Sequence, residues 1–295
     1  MQRMVMAHEI DHALQDQSFD LDRFTKPDRD NGDAQIARQA LVEGDGVALM
    51  IEFMMRELGQ KRDPWADDAI VNAMAAATGL TGAAEFDKAP LFLKESLLFP
   101  YKDGLRLIAA SRRVHPWGDV DAMFKRPPAS TEQVMHPEKY RANERPVPVK
   151  AAPLPSLKGW SQLYVNVLGE LMFDVLLRQH GIETAAAARA AAGWGGDRLV
   201  VYEQGDARVA VDLSTWDAEA DALEAMAALS DALPSLAGAE GYGDKGLLYA
   251  ATPPTNGEVT FVERKGAKVL LVVGAPTALA PRIRSEAWAR WKPTK

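Results

Sequence analysis

The sequence predicts an α+β protein, with a mainly helical amino-terminal core followed by a small carboxy-terminal module of two β-hairpins with helices, in the order ββαββα. Through the first 125 residues, hydrophobic residues recur at helical spacing between Gly and Pro signals. After residue 196 the hydrophobic period changes from 3.6 to 2, which is typical of half-buried strands. With 295 residues and 47% hydrophobic content, the chain can form one large core or two ordinary ones.

Helices are predicted along most of the amino-terminal core. The first covers residues 3–17 and leads into a polar surface loop at 18–32. The second runs to about residue 58, with Asp33 as its N-cap and Gly59 at its end. Three shorter helices follow, at residues 65–79, 86–97 and 101–113.

The stretch 126–155 is rich in proline and has little hydrophobic periodicity, so we expect an ordered loop or linker there. The sequence is therefore divided into a core at 1–155, which includes this stretch, and a second part at 156–295 packed on the core. The second part begins with two predicted helices, at residues 157–180 and 183–192.

Two β-hairpins are predicted in the last hundred residues, and each is followed by a helix. Alternating hydrophobic residues flank a short polar turn in both cases. We expect an antiparallel sheet with its helices on one face. The paired strands are 198–203 with 207–213 and 258–263 with 267–273, and the helices are 217–232 and 277–291.

Composition limits the classes of partner and cofactor. The net charge of −7 and the lack of a run of Lys and Arg argue against nucleic-acid binding. Because the chain has no cysteine, any bound metal needs His and carboxylate ligands. No stretch approaches the roughly 20 apolar residues of a transmembrane helix, and no signal peptide is recognised, so neither a transmembrane segment nor a signal peptide is expected in the chain as written.

His8 and His12 are predicted to bind a zinc ion. On a helix they lie one turn apart on the same face, so both imidazoles can reach one ion at about 2.0 to 2.1 Å. Glu9 follows the first ligand, and in a HExxH motif this glutamate is the general base for the attacking water. The simpler alternative is two surface histidines on an amphipathic helix. The motif favours zinc, because two of only five histidines stand at ligand spacing with Glu between them.

Glu43 is the expected third ligand. It lies on the apolar stripe of the second helix, where an unpaired carboxylate would be costly to bury. Gly44 and Gly46 beside it would allow the first helix to approach closely. The alternative is a solvated glutamate at a helix kink. Asp45 or Asp16 could orient a ligand histidine from behind.

These residues resemble a known family. The HExxH motif with a glutamate from the following helix is similar to the gluzincin, or thermolysin-like, zinc peptidases. The wider sequence resembles a group of largely uncharacterised bacterial metallopeptidases, which are often exported. The resemblance implies a zinc-dependent hydrolase acting on peptide or protein substrates. The segments that carry it are 7–17, 41–45, 130–140 and 193–197.

Two departures from the gluzincin pattern affect the expected activity. That family has an acidic residue one turn after the ligand glutamate, where this chain has Val47. It also has a β-sheet ahead of the motif, whose edge strand binds the substrate, and no such segment precedes His8 here. The alternative function is therefore a zinc-binding but inactive, amino-terminally shortened structural or interaction protein.

The segment 130–140 is the expected source of a group that stabilises the oxyanion of the reaction. His136 is the first candidate and Tyr140 the second, since both side chains can donate a hydrogen bond. Tyr101 is a lower-ranked candidate. The alternative is that the proline-bounded segment simply packs across the helices and that His136 is structural.

Overall fold

The computed structural model describes residues 2–24, 26–61, 63–77, 86, 88–113, 117–239, 242–244, 248–251 and 257–294. The chain forms two compact units. The helical unit comprises Met1–Asp28 and Gly32–Glu144, and the sheet unit comprises Arg29–Asn31 and Arg145–Lys295. The sequence placed the division at residue 155. The predicted mixed class, with helices first and an antiparallel sheet after them, is confirmed.

The helical unit is built from α-helices, with one 3₁₀ turn at Pro64–Ala66. None of its described helices, nor any in the sheet unit, is both long and apolar enough to cross a membrane. The helices are α1 (Gln2–Phe19), α2 (Leu21–Phe24), α3 (Gly32–Glu57), α4 (Asp68–Ala77), α5 (Leu91–Arg112), α6 (Trp117–Lys125), α7 (Thr131–Met135) and α8 (Pro137–Arg141).

The two helices that carry the predicted metal ligands, α1 and α3, are confirmed. Helix α3 ends as expected, since Gly59 adopts a left-handed φ of 66°. Its start differs, because the helix begins at Gly32 and Asp33 lies inside the first turn. The buried Asp33 carboxylate accepts hydrogen bonds from the backbone N–H and the hydroxyl of Thr131, at 3.1 and 2.5 Å. The loop expected at 18–32 also contains the short helix α2.

Helix α5 corrects the prediction of separate helices at 86–97 and 101–113. It is continuous through Pro100. Proline weakens a helix interior because it removes one N–H donor and crowds the preceding turn. Here Phe99 and Pro100 are buried, and so are Leu105 and Ile108 one to two turns later. Burial of this apolar face on α3 and α4 outweighs the local cost. The end predicted at residue 79 for the preceding helix lies outside the described residues.

The proline-rich stretch also contains more regular structure than expected. Ser130 is the N-cap of α7, and its hydroxyl accepts a hydrogen bond from the Gln133 N–H at 3.3 Å. Pro137 opens α8, at a position where a missing N–H is harmless. Helix α6 was not predicted at all.

The sheet unit contains a seven-stranded antiparallel sheet in the order β2-β3-β4-β8-β7-β6-β5 and a small sheet formed by β1 and β9. Both predicted hairpins are confirmed. The elements are β1 (Val149–Lys150), β2 (Ser161–Asn166), α9 (Gly169–Gln179), α10 (Thr184–Ala191), β3 (Trp194–Gln204), β4 (Ala207–Trp216), α11 (Glu219–Ala237), β5 (Tyr242–Asp244), β6 (Leu248–Ala251), β7 (Glu258–Lys265), β8 (Lys268–Pro276), α12 (Ala280–Arg290) and β9 (Lys292–Pro293).

Helices cover both faces of this sheet, so the prediction of helices on one face is wrong. Strand β8 shows the alternation directly. Val269 and Leu271 belong to the core under α9, α10 and α11, while Leu270 and Val272 belong to the core under α12. Each face of the sheet therefore has its own hydrophobic core.

The prediction of one helix at 157–180 is wrong in its first part, which forms strand β2, while its second part forms α9. Tyr164 pairs with Val201 of β3, and Gly169 takes a φ of 73° where the chain turns into α9. The buried Asp197 carboxylate accepts hydrogen bonds from the N–H groups of Leu168 and Gly169, at 2.9 and 3.0 Å. These bonds satisfy the first N–H groups of α9 and so fix where the helix begins.

A partly buried carboxylate near the end of α3 joins several parts of the helical unit. The Glu52 carboxylate accepts hydrogen bonds from the indole N–H groups of Trp65 and Trp117, at 2.7 and 3.1 Å, and from the Arg112 guanidinium at 2.8 Å. Burial raises the pKa of Glu52, but the hydrogen bonds from Arg112, Trp65 and Trp117 outweigh it, so the pKa is lowered from 4.5.

A lowered pKa means that Glu52 stabilises the fold when it is ionised. Its contribution is fully present well above pH 4.5, the ordinary value, and is lost as the pH falls below it through the folded-state pKa. We expect Glu52→Gln to lower the stability at pH 7 by about 1 to 3 kcal/mol, with a smaller loss at acidic pH. Urea unfolding of both proteins at pH 7 and pH 4 measures this. The exposed Glu224→Gln is the control, and an equal loss at both pH values contradicts the prediction.

Candidate metal centre

Helices α1 and α3 pack antiparallel and bring the HExxH motif against Glu43. Their direction follows from three contacts along the pair. The Gln15 side chain reaches the Val42 carbonyl at 3.2 Å, His8 lies against Gly46, and Arg3 forms an ion pair with Glu57 at 2.7 Å. His8, His12 and Gln15 stand at i, i+4 and i+7, so they occupy one face of α1. That face is the one packed on α3.

Three ligand atoms converge on one point. The Nε2 atoms of His8 and His12 are 3.0 Å apart, and they lie 3.3 and 3.4 Å from Oε2 of Glu43. In a tetrahedral zinc site with bonds of about 2.0 to 2.2 Å, ligand atoms are about 3.3 to 3.6 Å apart. The three side chains are 12%, 23% and 24% exposed, so the point is partly open to solvent.

The local chemistry fits a cation at this point. Oε2 of Glu43 is buried and accepts no hydrogen bond of normal geometry from the described residues, although two imidazole nitrogens lie close to it. A buried carboxylate oxygen in this condition is costly unless a charge compensates it. His8, His12 and Glu43 are also a donor set that zinc accepts, with two nitrogens and one oxygen. The predicted ligand set is thus brought together.

The carboxylate and the imidazoles shift one another's pKa. Close polar contact with Glu43 raises the pKa of His12 to about 9, against the opposing effect of burial. For Glu43, burial raises the pKa, but His12 and His8 outweigh it and lower the pKa to about 2. Two opposite charges are therefore favoured here without a metal, which shows how strongly the carboxylate needs a positive neighbour.

Gln15 is the site residue that the sequence reasoning missed. Its Oε1 lies 2.9 Å from His12 Nδ1, and its amide nitrogen donates to the carboxylates of Asp11 and Asp45, each at 2.8 Å. Asp45 is thus linked to the histidine by hydrogen bonds through Gln15. The other candidate, Asp16, accepts a hydrogen bond from the Leu21 N–H instead. The missed signal is the i+7 spacing from His8, which places Gln15 on the ligand face.

Two carboxylic acids lie behind this amide, and their pKa values are raised. Burial is the main cause for both Asp11 and Asp45. The Asp11 charge adds to the effect on Asp45, whose pKa is raised to about 7. The back of the site is therefore a crowded acidic environment, in which Asp45 is buried and Asp11 is partly exposed.

Glycines set the distances between the helices. A Cβ on Gly46 would lie 2.8 Å from Cε1 and Nδ1 of His8, so the imidazole rests where a side chain would otherwise be. A Cβ on Gly44 would lie 2.7 Å from Cα of Gly104 in α5, and closer still to its carbonyl. Of the two glycines predicted to admit the first helix, only Gly46 does so. Gly44 instead admits α5.

The approach of α5 brings Tyr101 to the site. Its ring stacks on the His8 imidazole, with centroids 6.3 Å apart and an interplanar angle of 25°. Burial and the nearby Glu43 and Glu9 carboxylates raise the pKa of Tyr101 to about 12. Tyr101 is therefore a protonated donor at neutral pH. Glu9 itself is exposed on α1.

His136 and Tyr140, the higher-ranked oxyanion candidates, contact other residues of the helical unit. The Tyr140 hydroxyl donates to the Arg126 carbonyl at 2.9 Å, and the Arg126 guanidinium lies 4.8 Å over its ring. His136 joins α7 to α8, with Nδ1 3.5 Å from a Glu138 oxygen. These contacts support the structural alternative for both residues, and their catalytic role stays a prediction. Tyr101 is the candidate that touches the ligands.

Comparison with known proteins bears on the sheet unit alone. A family described as a domain of unknown function, DUF8575, matches residues 161–284. Neither the curated proteins nor the solved structures compared with the chain include a significant match. The matched residues run from β2 into α12. The chain is thus similar to this domain in its sheet, and the metal centre rests on the geometry of the helical unit.

The glycine contact between α3 and α5 gives a prediction about stability. We expect Gly104→Ala to destabilise the protein by at least about 2 kcal/mol, because its Cβ would overlap the Ala40 carbonyl and lie 3.1 Å from Cα of Gly44. Gly118→Ala is the control, since that helical glycine has open space around it and should gain about 0.5 to 1 kcal/mol. Urea unfolding measures both changes. Equal effects of the two substitutions would show that α3 and α5 are not in backbone contact.

Proposed function

We propose that this protein is a zinc-dependent peptidase, in which His8, His12 and Glu43 hold the metal. The observation that carries the proposal is the convergence of three ligand atoms within 3.0 to 3.4 Å of one another, together with a buried carboxylate oxygen that lacks a hydrogen-bond donor. The resemblance of the motif segments to gluzincin peptidases supports peptide or protein substrates. The three protein ligands leave a position for water, as catalytic zinc sites do.

If His8, His12 and Glu43 hold zinc, the ion would supply positive charge that makes a water at the site more acidic, with a pKa towards about 7. Glu9 follows His8 on the same helix and is exposed, so its carboxylate is free to accept a proton from the attacking water and pass it to the leaving amine. Tyr101, held protonated beside Glu43, is placed to donate a hydrogen bond to negative charge that develops on the substrate oxygen.

A zinc-binding interaction protein without activity is the second candidate. The observation that favours it is the outer surface of α1, where the apolar side chains of Met6, Ile10 and Leu14 are 60%, 53% and 53% exposed. They are spaced four residues apart and form a stripe on the helix that carries the motif. Apolar stripes of this kind often mark contact surfaces between proteins. Zinc content is the same under both functions, and only hydrolysis separates them.

The proposed function predicts that the protein binds zinc through the three ligands. We expect one zinc per chain after purification and dialysis, and a loss of affinity of more than about 100-fold in His8→Ala and Glu43→Gln, because each removes a ligand. Elemental analysis and competition with a chromogenic chelator measure these. His180→Ala is the matched control, since His180 lies at the end of α9 with its Nδ1 on the Ser235 hydroxyl. Zinc content well below one in the unaltered protein is incompatible with the proposal.

The proposed function also predicts peptide hydrolysis that depends on Glu9. With a library of internally quenched fluorescent peptides, we expect turnover that Glu9→Gln lowers by about 100- to 10,000-fold while zinc content stays at one per chain, because the variant loses the base alone. Tyr101→Phe should lower kcat by about 100-fold or more. Tyr140→Phe, the matched control, should change kcat little.

The outcomes separate the two candidate functions. Zinc-loaded protein that cleaves no peptide in the library supports the interaction protein and contradicts the peptidase. Turnover that survives Glu9→Gln also contradicts the proposed mechanism. A larger loss of kcat in Tyr140→Phe than in Tyr101→Phe would return the oxyanion role to the segment 130–140.

A further inference from the structure

We infer that Gln15 is a positioning residue of the metal centre. Its side-chain amide fixes the His12 imidazole in the tautomer with its proton on Nδ1 and links this ring to the carboxylates of Asp11 and Asp45. The inference rests on the proposed zinc site. It attributes the fixed orientation of the His12 ring to the uncharged side-chain amide of Gln15.

The orientation of the amide follows from its partners. Its nitrogen lies 3.2 Å from the Val42 carbonyl oxygen, which can only accept a hydrogen bond, and 2.8 Å from one oxygen each of Asp11 and Asp45. The opposite orientation would place the amide oxygen among three oxygen atoms. The nitrogen therefore faces Val42 and the two acids, which leaves Oε1 for His12.

The tautomer of His12 follows in turn. Oε1 of Gln15 can only accept, and it lies 2.9 Å from Nδ1, so Nδ1 carries the proton. Nε2 then presents a lone pair in the neutral ring, and Nε2 is the atom directed at His8 and Glu43. Hydrogen bonds of this kind behind a ligand histidine fix its ring and its tautomer.

Burial makes the arrangement rigid. Gln15 is 3% exposed and Asp45 is 7% exposed, so water cannot replace a lost partner. The arrangement also explains a departure in the sequence. Val47 is buried and offers no acid one turn after Glu43, while Asp45 acts on the histidine from a different position by way of the amide.

The test compares three variants on one helix. Gln15→Met removes both hydrogen-bonding ends at similar volume, Gln15→Glu keeps an oxygen for His12 but loses the donors, and the exposed Gln17→Met is the control. The first readout is zinc affinity by competition with a chromogenic chelator. The second is the tautomer of His12 in zinc-loaded, ¹⁵N-histidine-labelled protein by long-range ¹H–¹⁵N NMR.

We expect Gln15→Met to lower zinc affinity by about 10- to 100-fold and to lose the fixed Nδ1 proton signal. Gln15→Glu should keep that signal, with an affinity between those of Gln15→Met and the unaltered protein, and Gln17→Met should change neither. If Gln15→Met does not fold, retention of the signal in Gln15→Glu supports the inference and its loss overturns it.

Failure of the proposed zinc site and failure of the Gln15 inference give different results. Absence of zinc binding in the unaltered protein overturns the proposed function, and the inference with it. Normal zinc affinity and an unchanged His12 signal in folded Gln15→Met overturn the inference alone. Equal losses in Gln15→Met and Gln17→Met also overturn it, because they show a general effect of altering α1.

Discussion

The backbone contact between α3 and α5 at Gly44 and Gly104 determines the arrangement of the helical unit. With no side chain at either position, the two helices lie closer than any pair with Cβ atoms at the contact could. That distance places Tyr101 against His8 and near enough to Glu43 for the carboxylate to raise the pKa of the tyrosine. Gly46 likewise allows α1 to approach α3 closely, because the His8 ring occupies the space that a side chain on Gly46 would fill. The ligands are thus positioned by backbone approach on two sides of α3.

The convergence of the three candidate ligands was largely predictable because its determinants are local. His8 and His12 stand one helical turn apart, and Glu43 lies on an apolar stripe where an unpaired carboxylate would be costly to bury. The environment of these ligands was harder to predict. Gln15 bonds to Asp45, thirty positions along the chain, and the place of Tyr101 depends on how closely two helices pack. Neither the Gln15–Asp45 hydrogen bond nor the position of Tyr101 could be predicted from residue spacing within one segment.

The errors in the fold have a related cause. Pro100 and Gly169 each indicate a break in a helix. At Pro100 tertiary packing keeps the helix continuous, whereas at Gly169 the break is real and the prediction ignored it. Burial of Phe99 and Ile108 kept α5 continuous. The residues of β2 were assigned to a helix because their strand character becomes evident only when they pair with β3. The hairpins were correct because a tight turn and flanking alternation specify them within about twenty residues.

The position of the ligands also has a mechanical consequence for the first helix. Helix α1 packs on α3 through one face and presents Met6, Ile10 and Leu14 to solvent on another, so only part of its apolar surface contributes to its attachment. An ion held by two side chains of α1 and one of α3 would link the two helices. Part of the free energy of metal binding would then hold the motif helix in place. The residues that define the chemistry would be the same ones that keep their own helix docked.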